Sequence, residues 1–285
     1  MRIEKYCELS DKQKEDIIKL ENISFEAEGL QNRAFLSNEI NFDKTIPCFY
    51  LGYENDELIA FLTAFMPDSN EAEILAVTHP NFRNRGFFKA LFKEVKAELL
   101  KTKLTSLLLV VEDKSGSGKQ ALKLFSSSEY DHSEYAMECV HGSVIPHHYN
   151  DLILKVLDET NTGDFRKVFT DGFGDFDDAD NFIEITRTGE TRQGYMGYFN
   201  GKPVATVCLN FKKDSAMIYG LVVSPEYQGR GLGTQLIGFA LEKAFEKTQL
   251  AKLDVNVSNP SALNIYKKAG FKTCFQVDYY RSKLI

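Results

Sequence analysis

The chain repeats itself. Residues 76–92, AVTHPNFRNRGFFKALF, lie over residues 221–237, LVVSPEYQGRGLGTQLI, at a constant offset of 145, so that Val77 meets Val222, Pro80 meets Pro225 and Gly86 meets Gly231. A second match, at offset 141, sets QALKLF (Gln120 to Phe125) over SALNIY (Ser261 to Tyr266). The change in offset falls between the matches, where a surface loop absorbs it. A repeat of about 140 residues is far longer than a solenoid unit of about 20 to 50, so each copy must bury a core of its own. The 285-residue length agrees, because single cores stop growing at about 250 to 300 residues. The expected division is a first domain at 1–140, a linker at 141–150 and a second domain at 151–285. The stretch VHGSVIPHHYN, with Gly142, Pro146 and little periodicity, reads as the linker.

Both copies predict the same order of elements. Asp11 to Phe25 spaces Ile17, Ile18, Leu20, Ile23 and Phe25 as an amphipathic helix. The hairpin PCFYLGYENDELIAFLTAF turns at Glu54-Asn55-Asp56-Glu57, and its counterpart GYMGYFNGKPVATVCLNF turns at Asn200-Gly201. A third strand, EILAVTH or MIYGLVV, runs straight into the repeated motif and then a helix. The apolar face of that helix is Phe88, Leu91, Phe92, Val95 and Leu99 in one copy, and Leu232, Leu236, Phe239, Ala240, Leu241 and Phe245 in the other. A further strand, LTSLLLVV or KLDVNV, a short helix and a closing strand complete each copy. The expected fold class is α/β: a mixed, predominantly antiparallel sheet flanked by helices, present twice in tandem.

Composition narrows the partners. A formal net charge of -7 argues against nucleic acid, whose non-specific binding needs Lys and Arg to neutralise phosphates, and suits a cationic acceptor better. No apolar run approaches the roughly 20 residues that span a bilayer, and the start lacks the apolar stretch of a secretory signal, so a cytoplasmic protein without a membrane partner is expected. The five cysteines, Cys7, Cys48, Cys139, Cys208 and Cys274, are odd in number and never spaced as Cys-x-x-Cys, which disfavours disulfides and a zinc site. Oligomeric state is not legible, although an internal pair fits a monomeric pseudo-dimer.

The most specific chemical pattern is Gln228-Gly229-Arg230-Gly231-Leu232-Gly233-Thr234, between a strand and a helix. Glycines let successive backbone N–H groups converge on an anion, and the helix dipole favours negative charge at its first turn. The pattern fits a pyrophosphate cradle, and also a plain tight turn. It lacks the Gly-Lys-Ser/Thr ending of the nucleotide P-loop and the spacing of the dinucleotide fingerprint.

With Val223-Ser224-Pro225 ahead of it, this run resembles the signature of the GNAT acetyltransferase family, a strand ending Val-x-Pro followed by Gln/Arg-x-x-Gly-x-Gly/Ala. A second family signature follows as Asn259, Ala262, Tyr266, Gly270 and Phe271. The resemblance covers residues 151–285 well and 1–140 more loosely, which makes the chain similar to a tandem GNAT protein. It implies transfer of an acetyl group from acetyl-coenzyme A to a primary amine of a small molecule or peptide, with no metal. By the same resemblance, backbone groups of Leu221, Val222 and Val223 hold the pantetheine and thioester carbonyl. Gln228, Gly229, Arg230, Gly231, Leu232, Gly233 and Thr234 cradle the pyrophosphate, Asn259 contacts the coenzyme, and Tyr266 is the catalytic proton donor. A different class of function also keeps the cradle: an acetyl-coenzyme A sensor or scaffold that does no chemistry.

The first copy departs from the pattern. Its loop keeps Arg83, Arg85 and Gly86, but Phe88 replaces the last small residue, and Gly118 and Phe125 stand over Asn259 and Tyr266. A phenyl ring donates no proton, so the first domain is expected to be a degenerate, non-catalytic partner, whose Arg83, Arg85 and Gly86 either still hold a coenzyme anion or are ordinary surface charge at a helix start. An alkyl amine of pKa about 10.4 costs about 4.6 kcal/mol to deprotonate at pH 7, so a base is needed. Many family members carry a carboxylate on the strand before the loop, but Tyr219 and Gly220 stand there. Glu184, Asp214 and Glu226 are either bases acting through water or solvated surface acids. TDGFGDFDDAD, Thr170 to Asp180, lies where the family forms the acceptor side of its cleft. Its carboxylates suit a cationic acceptor, or make a solvated acidic loop.

Overall fold

The structure, a computed structural model, describes residues 1–125, 127–143, 151–174 and 179–284. β1 (Arg2–Tyr6) leads to α1 (Asp11–Glu28). Ser10 and Gln13 close a capping box at the start of α1, each side chain accepting the other's backbone N–H, and Gly29 ends the helix at φ 70°, where a side chain would be strained. β2 (Phe49–Glu54) and β3 (Glu57–Phe65) form the expected hairpin, with Asn55 and Asp56 both at positive φ as a two-residue turn requires. β4 (Glu71–Thr78) runs through a short 3₁₀ turn, Pro80–Phe82, into α2 (Phe87–Leu99), followed by β5 (Ser106–Glu112), α3 (Gly116–Leu122) and β6 (Glu129–Val140).

The second copy follows the same order: β7 (Leu152–Val156), α4 (Thr162–Phe173), α5 (Ala179–Thr188), β8 (Arg192–Phe199), β9 (Lys202–Phe211), β10 (Ala216–Val223), a 3₁₀ turn at Pro225–Tyr227, α6 (Leu232–Phe245), β11 (Leu250–Asn256), α7 (Pro260–Lys268) and β12 (Lys272–Lys283). Among the described residues no helix is long and apolar enough to cross a membrane.

Contacts divide the chain into two compact units, Met1–Ser133 with Phe275–Ile285, and Glu134–Cys274. In the first unit the strands run β1-β2-β3-β4-β5-β12; in the second, β6-β11-β10-β9-β8-β7. The described neighbours within each are antiparallel except β4 with β5 and β10 with β11. The central strands explain why both faces need helices. Ile59–Ala64 of β3 and Val204–Leu209 of β9 are buried without alternation, so both faces must be covered. β3 packs on α1 and α2, and β9 on α4 and α6.

The units do not follow the division at 140 and 150. β6, encoded by the first copy, pairs with β11 from Leu250↔Val140 to Asn256↔Glu134, whereas β12, encoded by the second, pairs with β5 from Val277↔Glu112 to Lys283↔Ser106. The copies have exchanged closing strands. Both strands are antiparallel, 12 residues long and preceded by a short helix, so either suits either sheet and the pattern does not say which edge it joins. Of the expected linker, 144–150 lie outside the described residues.

Candidate active site

The second unit opens where two parallel strands stop pairing. β10 and β11 are registered only at Ala216↔Ala251 and Met217↔Lys252. Past Met217 the β11-facing edge of β10, including Leu221, Val222 and Val223, has no ladder partner. A bulge between Tyr219 and Val222 turns the strand, with Gly220 at φ 59° and its carbonyl accepting from Thr206 Oγ1 at 2.9 Å. A side chain at Gly220 would crowd Cys208 and Phe169, and one at Gly172 of α4 would stand 2.4 Å from Val222 Cγ1. α4 therefore packs directly behind the bulge.

The loop follows at once. Gly229 at φ 74° and Gly231 at φ 79° hold left-handed conformations, and Gly231 is the N-cap of α6. Gln228 Nε2 donates to the Val223 carbonyl at 3.0 Å, and Arg230 donates to the Glu226 carbonyl and lies over the Tyr227 ring. Thr234 N–H turns back to the Gly231 carbonyl at 3.1 Å. Among the described residues the N–H groups of Gly229, Arg230, Gly231, Leu232 and Gly233 donate to no protein acceptor. Gly233 has a packing reason as well, since a Cβ there would meet Ile265 of α7 at 3.1 Å.

α7 carries the second signature. Asn259 is its N-cap, and Oδ1 accepts from Ala262 N–H at 3.0 Å, which leaves the side-chain NH₂ to donate to a ligand. Tyr266 is 8% exposed with its ring against Phe271, and its hydroxyl has no hydrogen-bond partner among the described residues. Burial pushes its pKa up to about 12, so it remains protonated near neutral pH.

One acid escaped the sequence reading. Leu253 and Val255 of β11 point into the core, which sends Asp254 to the opposite face, two residues beyond the last β10–β11 pair. Asp254 is accessible, yet the protein crowded around it, and then the Glu134 carboxylate, push its pKa up to about 6 against the opposing pull of Lys252 and Lys212. The three acids weighed as bases are all surface groups: Glu184 is ion-paired to Arg187 at 2.7 Å, and Asp214 and Glu226 are exposed. Of the acidic segment, Asp180 pairs with Arg166 at 2.8 Å and Asp171 is exposed, while 175–178 lie outside the described residues.

The first unit keeps the loop's backbone but not the side chains around it. Asn84 at φ 61° and Gly86 at φ 88° hold the conformations of Gly229 and Gly231. Phe88 packs with Phe92 and Phe125 in an aromatic cluster instead of leaving the gap that Gly233 leaves. Ser115, rather than Gly118, matches Asn259: its Oγ caps α3 by accepting from Gly118 N–H at 3.0 Å. Counted from the two caps, Leu122 stands at the position of Tyr266 and Val110 at that of Asp254. Neither can move a proton.

A profile of the acetyltransferase (GNAT) family matches residues 14–125 and again 157–271. An uncharacterized N-acetyltransferase of Methanocaldococcus jannaschii is 37% identical over 81 residues, covering 26% of this chain and 36% of that protein. The [ribosomal protein bS18]-alanine N-acetyltransferase of Escherichia coli is 32% identical over 95 residues, covering 32% of this chain and 64% of that enzyme. The chain thus spans less than two thirds of the length of either relative. A tandem GNAT protein from the clavulanic acid biosynthesis pathway superposes with a TM-score of 0.71 at 14% identity, over 100% of this chain and 99% of that one.

Proposed function

The chain belongs to the GNAT acetyltransferase family, and on that premise we propose that its second unit is an acetyl-coenzyme A-dependent N-acetyltransferase acting on a primary amine of a small molecule or peptide. The observation that carries this reading is the row of unpartnered N–H groups from Gly229 to Gly233 at the mouth of the β10–β11 gap. Convergent N–H donors at a helix start fit a pyrophosphate, and the glycines keep side chains out of its way. Gln228 to Thr234 would hold that group, the free edge of Leu221 to Val223 the pantetheine, and the Asn259 NH₂ a coenzyme oxygen. When bound, acetyl-coenzyme A supplies the acetyl group as an activated thioester.

The chain's own groups manage the protons. Asp254, with its pKa near 6, is ionised at neutral pH and still basic enough to take the proton of the incoming ammonium. Tyr266 Oη keeps its proton and gives it to the departing sulfur. An ammonium sheds two protons on becoming an amide: Asp254 takes the first and passes it to solvent, and the second replaces the one that Tyr266 gives to the sulfur, so each turnover releases one proton. The carboxylates between Thr170 and Asp180 favour a cationic acceptor. The first unit, with Leu122 and Val110 at the proton-moving positions, is a non-catalytic partner.

The test is thiol release with acetyl-coenzyme A and a panel of primary amines, with product masses. Release that depends on the amine and yields an acetylated product is expected. Coenzyme binding without transfer to any amine would make the protein a sensor or scaffold instead.

A further inference from the structure

We propose that the cleft of the first unit is a binding site for a small apolar amine, held through the unpartnered carboxylate oxygen of Glu112. A cavity of about 590 Å³ opens between β4 and β5, walled by Ile74, Ala76, Leu109 and Val111 and by the rings of Phe88 and Phe125. A smaller one of about 70 Å³ shares Ala76, Val111 and Arg83 with it and is bounded by Glu112. Glu112 is 5% exposed. Its Oε2 accepts from the N–H groups of Gln31 and Asn32, at 2.7 and 2.8 Å, and so holds the segment after α1. Its Oε1 is buried with no partner among the described residues.

A buried carboxylate oxygen without a donor is costly, and its retention marks a place where a donor belongs. The guanidinium groups nearby are already committed, while Lys89 of α2, exposed and lining the larger cavity, has no ion pair among the described residues. Arg83 pairs with Glu28 and donates to the Thr78 carbonyl, while Arg85 pairs with Glu54 at 2.8 Å. Glu28 in turn accepts from Ser117 N–H and Oγ at the start of α3. The first unit therefore has spent the guanidinium groups that would neutralise a phosphate, and it keeps a carboxylate that lacks a donor. An ammonium group on an aliphatic or aromatic body satisfies both the oxygen and the apolar walls, and a pyrophosphate satisfies neither.

The test is calorimetric titration of the full chain, without acetyl-coenzyme A, with hexylamine and 2-phenylethylamine, and with hexan-1-ol and 2-phenylethanol as uncharged counterparts. Each amine should bind roughly tenfold or more tightly than its alcohol, as a charge-assisted hydrogen bond to a buried carboxylate implies. Glu112→Gln, which keeps an acceptor for Gln31 and Asn32, should erase that preference, and Asp254→Asn should leave it intact. If Glu112→Gln does not fold, Ala76→Leu, which adds bulk at a residue lining both cavities, should abolish amine binding in a folded protein. Equal affinity for amine and alcohol, no binding of either amine, a preference that survives Glu112→Gln in a folded protein, or one lost in Asp254→Asn would each overturn the proposal. The second unit's reading is judged by acetyl transfer and can fail separately.

Discussion

In the proposed reaction Tyr266 and Asp254 divide the proton work, and each has its own signature. Tyr266→Phe keeps the ring against Phe271 and removes the donor, so turnover should fall by about 10² to 10⁴-fold while acetyl-coenzyme A affinity and melting temperature hardly move. Full turnover in that variant would remove the phenol from the mechanism. For Asp254 the sign follows from a pKa raised to about 6: the base is lost as pH falls through that value. Wild-type kcat/KM should therefore decline below about pH 6, and Asp254→Asn should lower it by roughly 10² to 10⁴-fold above pH 6 and flatten that limb. The same raised pKa means the folded state binds this proton more tightly than the unfolded chain, so ionisation costs stability. Asp254→Asn should melt higher than wild type at pH 8 and lose that advantage by pH 4. Tyr266 was legible because it sits inside a spaced motif. Asp254 was not, because KLDVNV shows only an acid alternating with core residues. Its pKa comes from crowding and from Glu134 on a strand encoded before the second copy begins.

At the scale of elements, α7 is fixed by one side chain with two ends. Asn259→Ala removes the cap on Ala262 and should cost about 0.5 to 2 kcal/mol of stability, measured by denaturant unfolding. Asn259→Asp keeps the accepting oxygen and removes the NH₂, so stability should hold while the KM for acetyl-coenzyme A rises by roughly tenfold. Unchanged KM would leave Asn259 a helix cap alone. The helices and hairpins were legible because their signals are local: the Asn55-Asp56 and Asn200-Gly201 turns, the apolar faces of α2 and α6, and the Gly231 start of α6. The bulge at Gly220 and the cap equivalence of Ser115 and Asn259 were hidden. The first depends on β9 across the sheet, and the second on a length difference that the offsets of 145 and 141 blur.

Across the whole molecule, the exchanged closing strands make each copy depend on the other for its last strand. Residues 1–143 alone lack β12 and leave the β5 edge open around Leu107, Leu108 and Leu109, each worth about 1.5 to 3 kcal/mol when buried. That loss rivals the roughly 5 to 15 kcal/mol of a whole domain, so neither 1–143 nor 151–285 should unfold cooperatively alone, and the two together should recover a cooperative melt. A cooperative transition from 1–143 by circular dichroism would contradict this. The repeat itself was plain in the sequence, but the exchange was not, because no local pattern records which of two equivalent edges a strand joins. If the second unit's loop holds the coenzyme for catalysis, paired glycine variants separate it from the loop of the first unit. Gly231→Asp puts a carboxylate at the proposed pyrophosphate site, and Gly86→Asp makes the same change in the first unit; both sites carry the same left-handed strain, and neither has an atom beyond its chain neighbours within 4 Å of a new Cβ. Thiol release with a responsive amine should collapse in Gly231→Asp and persist at the wild-type rate in Gly86→Asp. Activity that survives Gly231→Asp, or that is lost instead in Gly86→Asp, would contradict the account.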